Sequence, residues 1–179
     1  MSTLQQLSLC PPQRQDVPEL HRIFADPRMW SHAPAKRHAN VEKTMAMVEA
    51  WRGCWRREGL GPWVIRAAGS RQIIGYGGCS LTRKSFWNLG YRFAVSAQGQ
   101  GFATQVARQA VGQANRHRPE APVVASLLEH NAASARVAQK LGFTLAYRGP
   151  DRGNPDAQAI RLIYADRALE GHQLELMVG

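Results

Sequence analysis

Two glycines between an apolar segment and a helical pattern constrain the fold more than any other feature of this sequence. They are Gly99 and Gly101, in the stretch VSAQGQGFATQVARQA at residues 95–110. The segment before them is typical of a β-strand. After them, small apolar residues recur at helical spacing, at Ala103, Val106, Ala107, Ala110 and Ala114. Glycine is costly where the backbone does not need it, so this turn needs either a positive φ or a backbone that a ligand can approach.

The segments follow one another in the order β-αα-βββ-α-β-α-ββ, which predicts an α/β (α+β) fold with a mixed sheet and helices on both faces. Strands are predicted at 4–9, 61–68, 71–81, 86–95, 121–128, 144–149 and 158–166. Helices are predicted at 16–25, 41–57, 101–117 and 132–141. No repeat or linker divides the chain, so we expect a single domain over residues 1–179.

Capping residues mark the starts of three of these helices. Asp16, Asn40 and Asn131 each stand where a side-chain cap is expected, and Gly142 follows the last helix. The buried face of the second helix is expected to carry Val41, Met45, Val48 and Trp51.

The composition is that of a soluble globular protein. The chain has 179 residues, of which 44% are hydrophobic and 20% charged, enough for one hydrophobic core. No apolar run approaches the ~18 residues of a membrane helix, and the start does not read as a signal peptide. Three widely spaced cysteines predict neither a disulfide framework nor a metal site. We therefore expect a cytoplasmic protein without a metal or a membrane partner.

Positive charge is concentrated in one part of the chain. The formal net charge is +10, and between Glu58 and Glu120 there is no acidic residue. That segment contains eight basic residues: Arg66, Arg71, Arg83, Lys84, Arg92, Arg108, Arg116 and Arg118. Such a field favours an anionic partner, although solubility alone is an equal explanation.

Two familiar phosphate motifs are absent from the glycine turn. The dinucleotide fingerprint needs a third glycine, where this chain has Thr104, and no P-loop sequence is present. The helix that follows nevertheless contains no acid to neutralise its first-turn amides, which with the helix dipole bind anions. The alternative is a tight turn with no ligand.

A second strand-to-helix unit follows, with the sequence EHNAASARVAQKLGF at residues 129–143. Helix caps alone explain Asn131 and Gly142. They do not explain why two successive helix N-termini follow the carboxyl ends of strands, where open sheets bind their ligands.

Together the two segments resemble the GNAT N-acetyltransferases. Residues 98–103, QGQGFA, are similar to the family's acetyl-CoA pyrophosphate loop, [RQ]-x-x-G-x-[GA], and residues 131–143 to its second segment, N-x-x-S-x-x-V-x-x-K-x-G-F. The stretch NLGYRFAVSAQGQGFATQ is similar to the branch of ribosomal-protein N-terminal acetyltransferases. The resemblance implies a mostly antiparallel sheet of about seven strands that splays between strands 4 and 5, with acetyl-CoA as cosubstrate.

The resemblance also implies roles for individual residues. Phe93 and Val95 would offer backbone groups to the pantetheine arm, and Asn131 would bond it. Arg136 and Lys140 are candidates for the CoA phosphates. The pyrophosphate would be held by Gln98, Gly99, Gln100, Gly101, Phe102, Ala103 and Thr104.

The catalytic groups depart from the commonest family pattern. Many members carry a tyrosine that protonates the CoA sulfur, at the position of Ala138 here, and in the similar branch a serine at the position of Ser134 is the candidate instead. Glu129 and His130 are general-base candidates because they closely precede the second segment. His32 and His38 are further candidates from the loop that lines the acceptor side in this family.

The predicted reaction is direct attack of a primary amine, from a protein N-terminus or a small molecule, on the acetyl thioester. The basic segment favours an acidic acceptor protein, and a homodimer is possible. Two alternatives stay open: a CoA-binding sensor without turnover, and a basic module that binds RNA or the ribosome.

Overall fold

The computed structural model describes residues 6–31 and 33–178, and eleven of the twelve α-helices and strands in that part of the chain follow the predicted order. The strands are β1 (Leu7–Cys10), β2 (Trp63–Ala67), β3 (Ile73–Thr82), β4 (Phe86–Phe93), β5 (Val123–Leu128), β6 (Thr144–Pro150) and β7 (Ile160–Ala165). The helices are α1 (Val17–Phe24), α2 (Val41–Glu58), α3 (Phe102–His117), α4 (Ala132–Lys140) and α5 (Gly171–Val178). Helix α5 was not predicted, and residues 4 and 5 of the predicted first strand lie outside the described residues.

The strands form one sheet in the order β1-β2-β3-β4-β5-β7-β6. Among the described strands, only β4 and β5 run parallel to each other. Their pairing is limited to Trp87 with Val123 and Asn88 with Val124, near the start of each strand. The rest of β4 and β5 is not paired across this junction, which confirms the predicted splay and leaves an opening at their carboxyl ends.

Helices cover both faces of the sheet, as predicted, and neighbouring residues of a strand pack against helices on opposite faces. Trp87 and Val123 pack with α3 and α4, whereas Phe86 and Val124 face α5. Likewise Val64 joins the core under α1 and α2, while its neighbour Trp63 faces α3. The opening therefore lies between two covered faces.

The predicted buried face of α2 is wrong at two positions. Val41 and Met45 are 37% and 51% exposed, while Thr44, which is polar, is fully buried. Thr44 Oγ1 shares hydrogen bonds with the imidazoles of His21 (2.9 Å) and His38 (2.8 Å). Because these hydrogen bonds satisfy the hydroxyl, Thr44 can be buried at little cost. The helix therefore turns Thr44 toward α1 and exposes Val41 and Met45.

Asp16 does not act as a side-chain cap, although Asn40 and Asn131 do. The carboxylate of Asp16 instead accepts hydrogen bonds from the amide of Gln13 and from the guanidinium of Arg66. This happens because a short 3₁₀ turn, Arg14–Asp16, runs directly into α1 and leaves Asp16 in a helical conformation.

Candidate functional site

The opening between β4 and β5 exposes one edge of β4. The amide of Ala94 donates to the Ile74 carbonyl on β3 at 2.8 Å. Because alternate residues of a strand direct their polar groups to opposite edges, Phe93 and Tyr91 direct theirs toward the opening. The Phe93 carbonyl accepts the side-chain amide of Gln98 at 3.1 Å, so the N–H of Phe93 is the group that faces the opening.

The glycine turn beyond β4 needs left-handed backbone. Gly99 has φ +75° and Gly101 has φ +82°, and no described atom would lie within 4 Å of a Cβ at either position. The side chain of Gln100 donates to the Ser96 carbonyl at 2.9 Å, and the amide of Gln98 donates to the Val95 carbonyl at 3.3 Å. The turn is therefore held by its own glutamines and leaves its glycine backbone open.

Helix α3 begins at this turn without a neutralising group. Gly101 occupies the N-cap position, and the first turn, Phe102, Ala103 and Thr104, contains no acid. The Phe102 ring packs on Phe93, with ring centroids 6.0 Å apart, and anchors the helix to the end of β4. The result is an electropositive helix terminus directly beside the opening.

Helix α4 begins on the other side of the opening. The Asn131 side chain accepts the amide of Ser134 at 3.2 Å, so Asn131 serves as the cap of this helix. The carbonyl of Ser134 accepts the hydroxyl of Tyr91 at 3.4 Å, which joins α4 to β4. Arg136 and Lys140 are exposed on α4, and Ala138 is fully buried.

A cavity of about 440 Å³ lies at the carboxyl end of β5. Its walls are the α1–α2 loop (residues 33–36), the end of β5 with His130, and the β6–β7 loop (residues 151–156). Two of the residues that line it are hydrogen-bonded to each other, with Arg161 donating to Asp151. Burial acts to raise the pKa of Asp151, but hydrogen bonds from Asn154 and Arg161 outweigh it and hold the pKa below its usual value. Lys36 and Arg152, both exposed, add two cations to the cavity walls.

The family profile described as "Acetyltransferase (GNAT) domain" matches residues 6–144. The chain belongs to the GNAT acetyltransferase family. A comparison with curated proteins finds none that matches.

Solved structures share the fold of this acetyltransferase at low sequence identity. One, from Bordetella pertussis and described as a GNAT-family acetyltransferase, is 20% identical, with 93% of this chain and 98% of that chain covered and a TM-score of 0.75. The ribosomal L7/L12 α-N-protein acetyltransferase RimL, in complex with CoA, is 21% identical (94% and 97% covered, TM-score 0.73). The Salmonella typhimurium protein YncA, with its cofactor acetyl-CoA, is 18% identical (92% and 95%, 0.70).

Three of the four base candidates of the acetyltransferase are among the described residues, and their environments differ. Glu129 is exposed, and its carboxylate accepts hydrogen bonds from Arg148 at 2.7 and 3.2 Å. His130 lines the cavity. His32 lies outside the described residues. His38 is 6% exposed and stacks on Phe24, with ring centroids 4.6 Å apart, so it belongs to the core under α1 and α2.

The buried His38 is expected to make the acetyltransferase acid-sensitive. Burial, followed by the charges of Lys43, His21 and Arg92, lowers the pKa of His38 to about 4. A histidine of the unfolded chain titrates near 6.5, so as the pH falls from about 6.5 to 4 the unfolded state gains a proton that the folded state does not bind. Stability should therefore drop by up to about 2 kcal/mol by pH 5.

Urea denaturation at pH 7 and pH 5 measures this effect. His38→Phe, which keeps a ring on Phe24, should remove most of the difference between the two pH values. An unchanged difference in the variant would show that another group causes the acid sensitivity.

Three of the eight basic residues in the acid-free segment serve the fold. Arg66 pairs with Asp16, and Arg118 with Glu58 at 3.1 Å. Arg92 lies over the Trp30 ring, 3.7 Å from its centroid, and donates to the Met29 carbonyl at 3.2 Å. Some basic residues of this segment therefore already have anionic partners, because the fold brings acids to them from elsewhere in the chain.

Residues 6–31 and 33–178 show neither a candidate metal site nor a membrane-spanning helix. That part of the acetyltransferase contains no group of three or more His, Cys, Asp or Glu side chains that could hold a metal ion. None of its helices is long and apolar enough to cross a membrane.

Three further residues stand beside the opening or in the cavity walls and were not predicted from the sequence: Tyr91, Lys36 and Arg152. Tyr91 had a usable signal, because it alternates with Phe93 and so turns its backbone to the same edge of β4. Lys36 and Arg152 had none, since they stand on loops 116 positions apart in the sequence.

Proposed function

We propose that this acetyltransferase transfers an acetyl group from acetyl-CoA to a primary amine by direct attack. The observation that carries the proposal is the opening between β4 and β5, which has an electropositive helix terminus beside it and a cavity at the carboxyl end of β5. The relatives solved with CoA and with acetyl-CoA support the same cosubstrate.

The residues around the opening suit the parts of CoA. Open glycine backbone and the acid-free first turn of α3 suit a pyrophosphate, which residues 98–104 would hold through their amides. The backbone of Phe93 and Val95 and the side chain of Asn131 would contact the pantetheine arm. Arg136 and Lys140, as exposed cations on α4, would meet the CoA phosphates.

Acetyl-CoA, when bound, supplies an activated thioester, and the chain's own groups manage protons and charge. A backbone amide near Val95 would stabilise the developing oxyanion. His130 would accept the proton from the attacking amine, since it lines the cavity and Glu129 is held by Arg148. Ser134 would contact the thiol.

The acceptor is proposed to be a protein N-terminus, with an acidic sequence preferred. An α-amino group has an ordinary pKa of about 7.7–8.0, so about half or more of it is neutral near pH 8, whereas a lysine amine, with a pKa near 10.4, is almost fully charged. Lys36 and Arg152 in the cavity walls would attract acidic residues behind the N-terminus. The acceptor of RimL, a ribosomal L7/L12 α-amino group, is of the same chemical class.

Charge reversal in the cavity should change peptide preference. In Lys36→Glu and Arg152→Glu, kcat/KM for an acidic N-terminal peptide should fall about tenfold each, and a neutral peptide should be little affected. Steady-state kinetics with the two peptides measures the ratio, and Arg56→Glu on the exposed face of α2 controls for net charge. Equal loss with both peptides would contradict an acidic preference.

Two measurements test the function itself. Millimolar CoA should raise the melting temperature, because a ligand of the native state stabilises it, and thiol release should accompany an amine from a panel of peptide N-termini, polyamines and aminoglycosides. CoA binding without thiol release would indicate a sensor. Salt-sensitive RNA binding with no CoA effect would indicate a nucleic-acid-binding module. A cytoplasmic location and a homodimer stay predictions.

A further inference from the structure

A tyrosine hydroxyl lies beside the first turn of α4, next to the opening. Tyr91 on β4 is half-buried, and it packs against two groups of buried apolar residues that both include residues of α3. Its hydroxyl donates to the carbonyl of Ser134, and the distance of 3.4 Å is longer than the usual range of about 2.5–3.0 Å for a hydrogen bond between oxygens. A phenol held this weakly can turn to a better acceptor.

The position of Tyr91 along β4 matches the end of the cosubstrate that reacts. If residues 98–104 hold the pyrophosphate and Val95 and Phe93 contact the arm, the next residue facing the same edge is Tyr91. It lies two residues, or about 7 Å, farther along the strand. Across the opening at that level is Ser134, the residue proposed to contact the thiol. This placement rests on the proposed function.

The chemistry needs a proton donor there. A departing thiolate is protonated or hydrogen-bonded as the C–S bond breaks, and the position at which many family members have a tyrosine is the buried Ala138. Burial raises the pKa of the Tyr91 phenol above its ordinary value, with the nearby Ser134 and Tyr76 as lesser influences. The phenol therefore keeps its proton throughout the range in which amines attack.

We propose that Tyr91 is the catalytic acid that protonates the departing CoA sulfur. The amine nitrogen bonds to the carbonyl carbon, the C–S bond breaks, and its electron pair goes to sulfur. Sulfur takes the Tyr91 proton and becomes the free thiol. The proton lost by the amine goes to His130, and the Tyr91 phenolate regains a proton from solvent after the products leave.

Tyr91→Phe tests the proposal with two readouts. The value of kcat should fall at least about tenfold, with KM for acetyl-CoA and the CoA-induced rise in melting temperature nearly unchanged. The second readout is the thiol of bound CoA, titrated by its rate of alkylation with iodoacetamide. Without the Tyr91 hydrogen bond to the thiolate, that thiol should titrate about one pH unit higher.

Tyr164→Phe is the matched control, because Tyr164 is a buried tyrosine of the same core on β7, away from the opening. It should leave kcat and the thiol titration as in the wild type. The inference would be overturned if Tyr91→Phe had the kcat and the thiol titration of the wild type. If Ser134→Ala alone changed both, the acid would be Ser134. Either result would leave the proposed function intact. A wild-type protein that transfers acetyl to no amine would instead contradict both the proposed function and the role of Tyr91.

Discussion

Thr104→Glu is expected to weaken CoA binding about 100-fold while slightly raising the melting temperature of the ligand-free protein. Thr104 is the third residue of α3, where a glutamate satisfies first-turn amides and stabilises a helix by about 0.3–1 kcal/mol. The same carboxylate would repel a pyrophosphate. Two unit charges about 5 Å apart interact by about 3 kcal/mol at an effective dielectric constant of about 20, which corresponds to roughly 100-fold in Kd.

Isothermal titration with CoA and a melting curve without it measure the two effects. Gln113→Glu, exposed farther along α3, adds the same charge away from the helix terminus and should leave the Kd within about twofold. Thr104→Val separates loss of the hydroxyl from gain of charge. Unchanged CoA affinity in Thr104→Glu would show that the anion lies elsewhere.

Gly75→Ala is expected to lower the free energy of unfolding by about 2–3 kcal/mol, the usual cost of overpacking. A Cβ on Gly75 of β3 would collide with the carbonyl of Arg92 and lie 2.9 Å from the Cα of Phe93. Both are backbone atoms at the end of β4, and backbone cannot rotate away as a side chain can. For a chain of this length the melting temperature should fall by roughly 5–10 °C.

The variant also tests how the site is positioned. Moving the end of β4 moves Phe93 and the glycine turn, so CoA affinity should fall together with stability. Gly90→Ala is the control on the partner strand, because its Cβ would meet only the Tyr76 side chain, at ordinary distances of 3.6 Å or more. If Gly75→Ala melted like Gly90→Ala, the β3–β4 pair would be more adaptable than its geometry indicates.

Most of the fold could be predicted from local sequence patterns. The glycine turn, the caps at Asn40 and Asn131 and the strand-helix order are properties of neighbouring residues, and all are present in the structure. The predictions that failed depend on distant partners. Asp16 was expected to cap α1, but Arg66, 50 positions away, engages its carboxylate. The face of α2 was predicted from apolar spacing, but two histidines outside the helix allow Thr44 to be buried instead.

The sequence by itself determined the order of the elements, the glycine-rich helix start and the family to which the chain belongs, because periodicity, capping and motifs act over a few residues. Tertiary structure alone decided the chemistry around the opening. It brought Tyr91 to Ser134 across 43 positions, paired Glu129 with Arg148, and formed a cavity between two loops and the end of β5. Such contacts depend on strand register and on the paths of loops, which no local pattern reports.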